Sequence, residues 1–599
     1  MTAMTDSKLP CVSIQTKPYR ASLEKEALAS GLDPILARVI ASRPLPNELP
    51  ILQALFPKLK DLSSPNKMKD MAKAAKRVAT AIINQECIGI ETDHDCDGQT
   101  SHAVIFDCLV HHFKHPSDKI RSYIGHRLTE GYGLSDSVAT RIMEDVPKVQ
   151  LLITADNGSS DEPRIKKLKN FGIDVIVTDH HEIPIDGVPV SAFACLNPTQ
   201  MDCNYNDPYI AGCMVAWLLM ASTRQVLIET GYLPNNAPTL ANCLDFVAVG
   251  TIADCVSLAR SLNNRAVVNY GLSLIEKGSR PCWRVFKETH MGPVSSEDLG
   301  FKIGPLLNSD GRLSNAFGSV HFLLAESEDE ANAWLFTLQD SNAARKKIQQ
   351  EIVLKSLNLA KIEMEQGKNS LCIYLEDGHS GVHGIAASRI KDLFGRPTVF
   401  FSPKISMPHF ITGSVRGIEG FHVRQALQHV ATLHPEIMIA FGGHQAAGGL
   451  TIPLAALSLF SKTFEEVARL QLIDKTLGPV VWTDGPLSPD KITLDLVDLL
   501  KQLEPFGREF EQPIFEIAGV LTDIQYVGDG THARILLKVQ DKVLSGIWFK
   551  MRQSKDAAIA VKINDLVKAA ISIKSNIFRN QRRLEIHIVS LVLSNGGLA

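Results

Sequence analysis

The sequence has no long apolar run: its most apolar stretches, such as Val215–Ala221, fall far short of the ~20 residues that cross a bilayer. No membrane association is expected. The first twenty residues lack the apolar centre of a secretory leader, so export is not expected either. There is no C-x-x-C pair, and the eleven cysteines are scattered from Cys11 to Cys372 with none afterwards. Such an odd, unclustered set excludes a disulfide framework and a zinc finger, and reads as reduced thiols in a cytoplasmic protein. An excess of one charge is missing too: 62 basic against 65 acidic residues leave a net charge of −3. That balance excludes a globally basic, histone-like binder, so any nucleic-acid surface must be a local patch. Neither an internal repeat nor a low-complexity tract is present.

What is there is length and apolar content. At 599 residues the chain suits about three to five domains. With 45% apolar and 21% charged residues it can bury large cores, which excludes wholesale disorder. Residues 1–85 are expected to be mostly helical and to pack on the core; Met68, Met71, Ala75, Val78 and Ile82 recur at steps of three and four, one apolar helix face. From Cys87 the texture changes. The runs ECIGIE, KIRSYI, VQLLIT, IDVIVT and SAFACLN are strand-like and separated by helical segments, the βαβ rhythm of a parallel sheet. The expected fold class is therefore α/β: a first α/β lobe over residues 86–325, a long connector helix over 326–366, and a second α/β lobe over 367–472. Five short strands beyond Pro513 place a small oligonucleotide-binding (OB) type β-barrel within residues 473–599. Trp548 and Phe549 are read as its core.

The most informative stretch is CIGIETDHDCDGQTSHAVIF. An apolar strand ends at Glu91, Asp93, Asp95 and Asp97 follow at alternate positions, and Gly98 turns the chain into a helix. Three carboxylates crowded at a buried strand end repel one another unless a cation neutralises them. An EF-hand loop also opens D-x-D-x-D-G, but its twelfth position must be a bidentate Glu and here is Val104. VQLLITADNG places Asp156 after a second apolar strand, and IDVIVTDHHEIP places Asp179, His180 and His181 after a third. DFVAVGTIADCVSL sets Asp254 in an otherwise apolar stretch. In an open α/β sheet, ligands bind at the carboxyl ends of the strands, so these residues are expected to converge. A set of carboxylates with one or two imidazoles and no thiolate favours manganese or magnesium over zinc, and the number of acids suits two ions. Two ions about 3.5–4 Å apart suit phosphoester hydrolysis.

The segments ETDHDCDG, ADNG, TDHH and GTIAD, in this order, resemble the four motifs of the DHH phosphoesterase superfamily. HRLTEGYGL (126–134), GPLLNSDGRL (304–313), HSGVHGIAASRI (379–390), GSVRGIEGF (413–421), GGHQAAGG (442–449) and LEPFG (503–507) are similar to segments of its RecJ-type single-stranded-DNA-specific exonucleases. The resemblance implies a DHH core, a DHH-associated lobe and an OB barrel. It also implies a 5′-to-3′ exonuclease of DNA repair and recombination that releases nucleoside 5′-monophosphates with two divalent cations, manganese or magnesium. Asp93, Asp95, Asp97, Asp156, His180 and Asp254 would bind the metals, with Asp156 as the bridge and Asp93 either a ligand or a supporting acid. His181 would contact the scissile phosphate and, with Asp97, Asp156 and Arg312, belong to the catalytic set. Arg127 and Arg312 would clamp phosphate, and Ser414, Arg416, Gly442, Gly443 and His444 would approach the strand's end.

On the barrel, Lys574, Phe578, Arg579, Arg582 and Arg583 form a basic-aromatic cluster suited to a single strand, or else a solvated hairpin edge. The resemblance further implies strands opened by a helicase, contact with a single-strand-binding protein, and no membrane. The long connector without a heptad seam leans toward a monomer. Two other readings stand beside this one: a DHH-type phosphodiesterase for short oligonucleotides or cyclic dinucleotides, and a non-catalytic nucleic-acid scaffold. The sequence departs from the family pattern at Leu306, Ser309, Asp310, Gly378 and Gly507–Pro513, changes expected to alter how the strand is held and not the metal site.

Overall fold

The computed structural model describes residues 12–594, apart from Leu128, 314–315, Ser406, Pro408, 553–554, 556–558 and 579–580. The described chain divides into two compact units. One comprises Pro44–Lys346 with Glu504–Glu511; the other comprises the chain up to Arg43, Lys347–Leu503, and the chain from Gln512 on.

The first unit is built on a parallel sheet of β1 (Ile88–Thr92), β2 (Ile120–Ile124), β3 (Leu151–Ala155), β4 (Asp174–Thr178) and β5 (Ala194–Leu196), in the order β2-β1-β3-β4-β5. Every residue of β1 and β3 is buried, which is why both read as mainly apolar runs, Glu91 of β1 being the one buried carboxyl among them. The order reverses between β1 and β3, and a crevice opens at their carboxyl ends. Helix α1 (Met71–Ile83) buries the periodic face Met71, Ala75, Val78 and Ile82, with Met68 buried just before it. Helix α2 (Cys96–Asp107) follows β1 directly; α3 (Gly212–Glu229), α4 (Leu244–Ala253) and α5 (Gly304–Leu313) complete the surroundings of the crevice. Helix α4 is apolar on all sides and accordingly almost wholly buried. Helix α6 (Glu328–Glu365) runs 38 residues without a break.

In the second unit, β6 (Leu371–Tyr374), β7 (Thr398–Pro403), β8 (Phe410–Arg416), β9 (Ala440–Gly443) and β10 (Ala447–Pro453) form a sheet in the order β9-β10-β8-β7-β6. Only β6 and β7 are parallel. Phe401, Phe421, Phe460 and Phe464 centre its core. The strands β11 (Phe515–Val527), β12 (His532–Val539), β13 (Lys542–Trp548), β14 (Leu566–Phe578) and β15 (Gln581–Leu593) close into a barrel in the order β11-β12-β13-β15-β14, with β13 and β15 parallel. Bulges at Leu521/Asp523 and Ala570/Ile571 bend the long strands toward closure.

Two expectations are amended. The described part of the segment 1–85 is mostly helical, as expected, but it also contributes a strand, and its first part groups with the second unit and not with the first lobe. Ser13–Thr16 is a strand paired in parallel with Val480–Thr483, and Arg43 is buried against Asp484 at 2.6 Å. Residues 12–43 thus pack with the segment leading into the barrel. Phe549 is not barrel core: β13 ends at Trp548, leaving Phe549 52% exposed, edge-on to the rings of His532 and His587. Among the described residues no helix is long and apolar enough to cross a membrane.

Candidate active site

The acids predicted from the sequence meet at the crevice. Asp95 caps α2, its Oδ1 accepting the backbone N–H of Asp97 at 3.0 Å and of Gly98 at 3.1 Å. Asp97, in the first turn, is buried and accepts the N–H groups of Gly212 at 2.7 Å and Cys213 at 3.0 Å. Those donors are the start of α3, where the helix dipole favours an anion. After β3 the chain turns sharply. Asp156 adopts a left-handed φ of 63° while its N–H donates to the Thr178 carbonyl at 2.9 Å. A left-handed non-glycine residue held by its surroundings is the kind of strain found at functional sites.

His180, after β4, is the hub. Its Nε2 lies 3.1 Å from Asp156 Oδ1, 3.5 Å from Asp254 Oδ2 and 3.8 Å from Asp97 Oδ2. Asp254 reaches this point as the residue that ends α4. Asp93, Asp95 and Asp156 form an adjoining group whose carboxylate oxygens lie within 4.8 Å of one another. His181 also stands within that distance of Asp156 and His180.

The crowding shows in the protonation of these groups. Burial, then the charges of Asp97 and Asp95, pushes the Asp156 and Asp254 carboxyls well above their usual range. Burial with Asp93 and Asp97 raises Asp95 as well. Burial acts in the same direction on Asp93, but His94, 2.9 Å away, outweighs it and holds that carboxyl at about 2. Asp156 Oδ1 is buried and, among the described residues, accepts no hydrogen bond. An orphaned oxygen among mutually repelling carboxylates fits a divalent cation. None of the three ligand groups at this site includes a thiol, so hard ions such as manganese and magnesium suit it better than zinc.

Asp179, which the sequence names without a role, is a supporting residue, and Asn308 and two glycines join it without any sequence signal. Asp179 is buried; its Oδ1 accepts from the backbone N–H of His180 at 2.7 Å and of His181 at 3.1 Å, and lies 2.8 Å from His181 Nδ1. Burial lowers the imidazole's pKa, but Asp179 outweighs it and lifts His181 to about 10. Asn308 on α5 accepts the N–H of Cys96 at 2.9 Å. Glycines allow the close approach: a Cβ on Gly212 would meet Asp156 Oδ1 at 2.8 Å, and one on Gly250 would meet Thr100 Oγ1 at 2.3 Å and Asp97 Oδ1 at 2.8 Å. No local pattern announces such glycines, because the clash lies between elements distant in sequence.

Of the anion-binding candidates in this unit, Arg127 donates to the hydroxyl of the exposed Tyr132. Arg312 is depressed to about 10 by burial and by the charges of Arg127 and Arg345. Three neighbouring guanidiniums suit a polyanion. In the other unit, Ser414, Gly449 and Gly442 stand in one row across β8, β10 and β9, and Arg416 pairs with Ala447 in the same ladder. Nothing stands within 4 Å of a Cβ built on Gly442, and Gly443 takes φ 139° before the turn that carries the exposed His444. Gly378 has no room for a side chain, since its Cβ would meet that of Ser402 at 2.8 Å. On the barrel, Arg582 is exposed and bound to Asp498 at 2.8 Å, while Arg579 lies outside the described residues.

Family models match in three places: the DHH family N-terminal domain over residues 87–251, the DHHA1 domain over 367–470 and the RecJ OB domain over 483–590. Fold and acidic crevice thus define a DHH-class protein with an added OB barrel. The single-stranded-DNA-specific exonuclease RecJ of Escherichia coli (strain K12) is 33% identical over 578 residues, 94% of this chain and 97% of that one. The namesake of Salmonella typhimurium is 33% identical over 95% of this chain and 97% of its own. The crystal structure of RecJ in complex with Mn2+ from Thermus thermophilus matches 98% of this chain and 80% of that one, with TM-score 0.77 at 23% identity. The chain belongs to the RecJ family of single-stranded-DNA-specific exonucleases.

Proposed function

We propose that this chain is a single-stranded-DNA-specific exonuclease that works from 5′ to 3′, using two divalent cations, manganese or magnesium, and releasing nucleoside 5′-monophosphates. The observation that carries this reading is the meeting of Asp97, Asp156 and Asp254 around His180 Nε2, at 3.1–3.8 Å, beside the reversal point of the parallel sheet. Asp93, Asp95, Asp97, Asp156, His180 and Asp254 would hold the ions, with Asp156, which faces both groups, between them. Bound there, divalent ions polarise phosphoryl oxygens and make water nucleophilic at neutral pH.

The chain's own residues do the rest. His181, oriented by Asp179, presents its ring to the scissile phosphate. Arg127 and Arg312 neutralise phosphate oxygens. Ser414 and Arg416, with the open backbone at Gly442 and Gly443 and the ring of His444, receive the strand's end. Contacts to phosphate and backbone carry no sequence information, so digestion is indifferent to sequence and weakens as salt rises. Arg582 on the barrel, and Arg579 close to it in sequence, would add charge along the strand's path. Strands opened by a helicase and covered by a single-strand-binding protein, met in the cytoplasm by a monomer, complete the reading.

The test is product analysis on end-labelled DNA and RNA of several lengths with manganese. Mononucleotides shed from the 5′ end of single-stranded DNA are expected. Turnover of dinucleotides alone, or binding without turnover, would overturn the proposal.

A further inference from the structure

A second cluster of ligand-type side chains lies at the far ends of two helices that carry candidate metal ligands. Asp97 opens α2 and Asp107 closes it; Cys243 precedes α4 and Asp254 follows it. Ten residues of helix separate Asp97 from Asp107, a distance of about 15 Å. The two helices pack together, Gly250 of α4 against Thr100 of α2. Beyond Asp107, α2 passes into a π-helical turn over Cys108–His112, a distortion frequent at functional sites.

Asp107 Oδ2, His112 Nε2 and Cys243 Sγ converge there. Sγ lies 3.2 Å from the carboxylate oxygen and 4.0 Å from the imidazole nitrogen, and those two are 3.9 Å apart. Tetrahedral zinc, with bonds of about 2.0–2.3 Å, holds such donors roughly 3.4–3.6 Å apart, so each side chain need move only about half an ångström. Asp107 and Cys243 are buried, and His112 is 15% exposed, enough to admit an ion. A cavity of about 290 Å³, lined among others by Asp107, His111 and Arg280, opens beside the cluster.

Charge accounts for the ion's sign and valence. Two buried carboxylates, Asp107 and Asp245, share one guanidinium, Arg280, which donates to Asp107 at 3.1 Å and to Asp245 at 2.7 Å. That leaves one negative charge uncompensated. Ionising Cys243 makes two, the charge of one divalent cation. Arg280 supplies Asp107 with the outer hydrogen bond that fixes such a ligand, and Trp283, donating to Asp245 at 2.7 Å, holds the second carboxylate against Arg280. Asn242 stands 3.1 Å from His112 Nε2 and would yield that nitrogen to the ion; its Oδ1, 3.7 Å from Cys243 Sγ, or a water fills the fourth position.

We propose that Asp107, His112 and Cys243 bind one zinc ion, which staples the remote ends of α2 and α4 and so fixes the spacing of Asp97 and Asp254 at their other ends. The thiolate sets this site apart from the hard-ion crevice. On binding, the Cys243 thiol loses its proton to solvent as the sulfur–zinc bond forms, with no change of oxidation state.

Cobalt(II) reports the site, because only a thiolate ligand gives a sulfur-to-cobalt charge-transfer band in the near ultraviolet. The full chain, reduced and stripped with a chelator, is titrated with cobalt and then with zinc. One equivalent of the band is expected, bleached by zinc, retained in Asp97→Ala and lost in Cys243→Ser, with zinc affinity falling at least about a hundredfold in the latter. Absence of the band in the wild type overturns the proposal. So does its persistence in Cys243→Ser, particularly if Cys255→Ser then removes it. If Cys243→Ser does not fold, His112→Asn at the partly exposed position decides: an unchanged band and zinc affinity there also overturn the assignment.

Discussion

Replacing Gly250 by alanine tests how the crevice is assembled without replacing a proposed ligand. The new Cβ would stand 2.3 Å from Thr100 Oγ1, 2.5 Å from Cys213 Sγ and 2.8 Å from Asp97 Oδ1. Ordinary contact begins near 3.4 Å, so either α4 or the side chains of Thr100, Cys213 and Asp97 must shift by about 1 Å, and both routes change the spacing of Asp97 and Asp254. A displacement of about 1 Å in a catalytic array costs roughly a hundredfold in rate, or about 2.7 kcal/mol of barrier. Overpacking of this kind costs about 1–3 kcal/mol of stability, which leaves a chain of this size folded at the assay temperature. The assay is kcat/KM on 5′-labelled single-stranded DNA with manganese, beside manganese affinity from the paramagnetic signal of the free ion. Gly300→Ala is the control, since its Cβ meets only Ile252 at 3.4 Å. Full activity in Gly250→Ala, or an equal loss in Gly300→Ala, refutes the packing argument.

Three further outcomes follow from particular contacts. Asp97→Ala removes a proposed ligand and the acceptor of two N–H groups on α3; hydrolysis should vanish in a gel assay while single-strand binding persists by fluorescence anisotropy. Arg416→Ala should weaken the preference for a 5′ end, measured by competition between 5′- and 3′-blocked strands, more than it weakens manganese binding. His102 is buried on α2 at 2.9 Å from Ser122, and burial depresses its pKa to about 3. The unfolded chain therefore binds the extra proton first, so the stability that neutral His102 provides is present above about pH 6.5 and is lost progressively toward pH 3. Between pH 6.5 and 4.5 the wild type should lose about 2–3 kcal/mol more than His102→Gln in denaturant titrations, and parallel losses would contradict this.

The acids were legible because each follows a mainly apolar strand or helix, and a buried strand leaves its functional residues at the end that emerges. Order and spacing then placed Asp93, Asp95, Asp156 and His180 on one edge of one sheet. Asp179 hid among them: a carboxylate that orients two histidines looks in sequence like one more ligand. Gly212 and Gly250 were illegible because their necessity arises between separate elements, each Cβ being barred by a residue far away in the chain. The strand Ser13–Thr16 was missed for a related reason: four residues gain meaning only from Val480–Thr483, more than 460 positions later. Phe549 was misplaced because β13 stops one residue before it, so alternation no longer dictates its side.

Anomalous diffraction from crystals grown with manganese addresses the central claim most directly. Two peaks about 3.5–4 Å apart are predicted, flanked by Asp93, Asp95, Asp97, Asp156, His180 and Asp254, with Asp156 touching both. No peak in the crevice, or manganese held by other residues, would contradict the account.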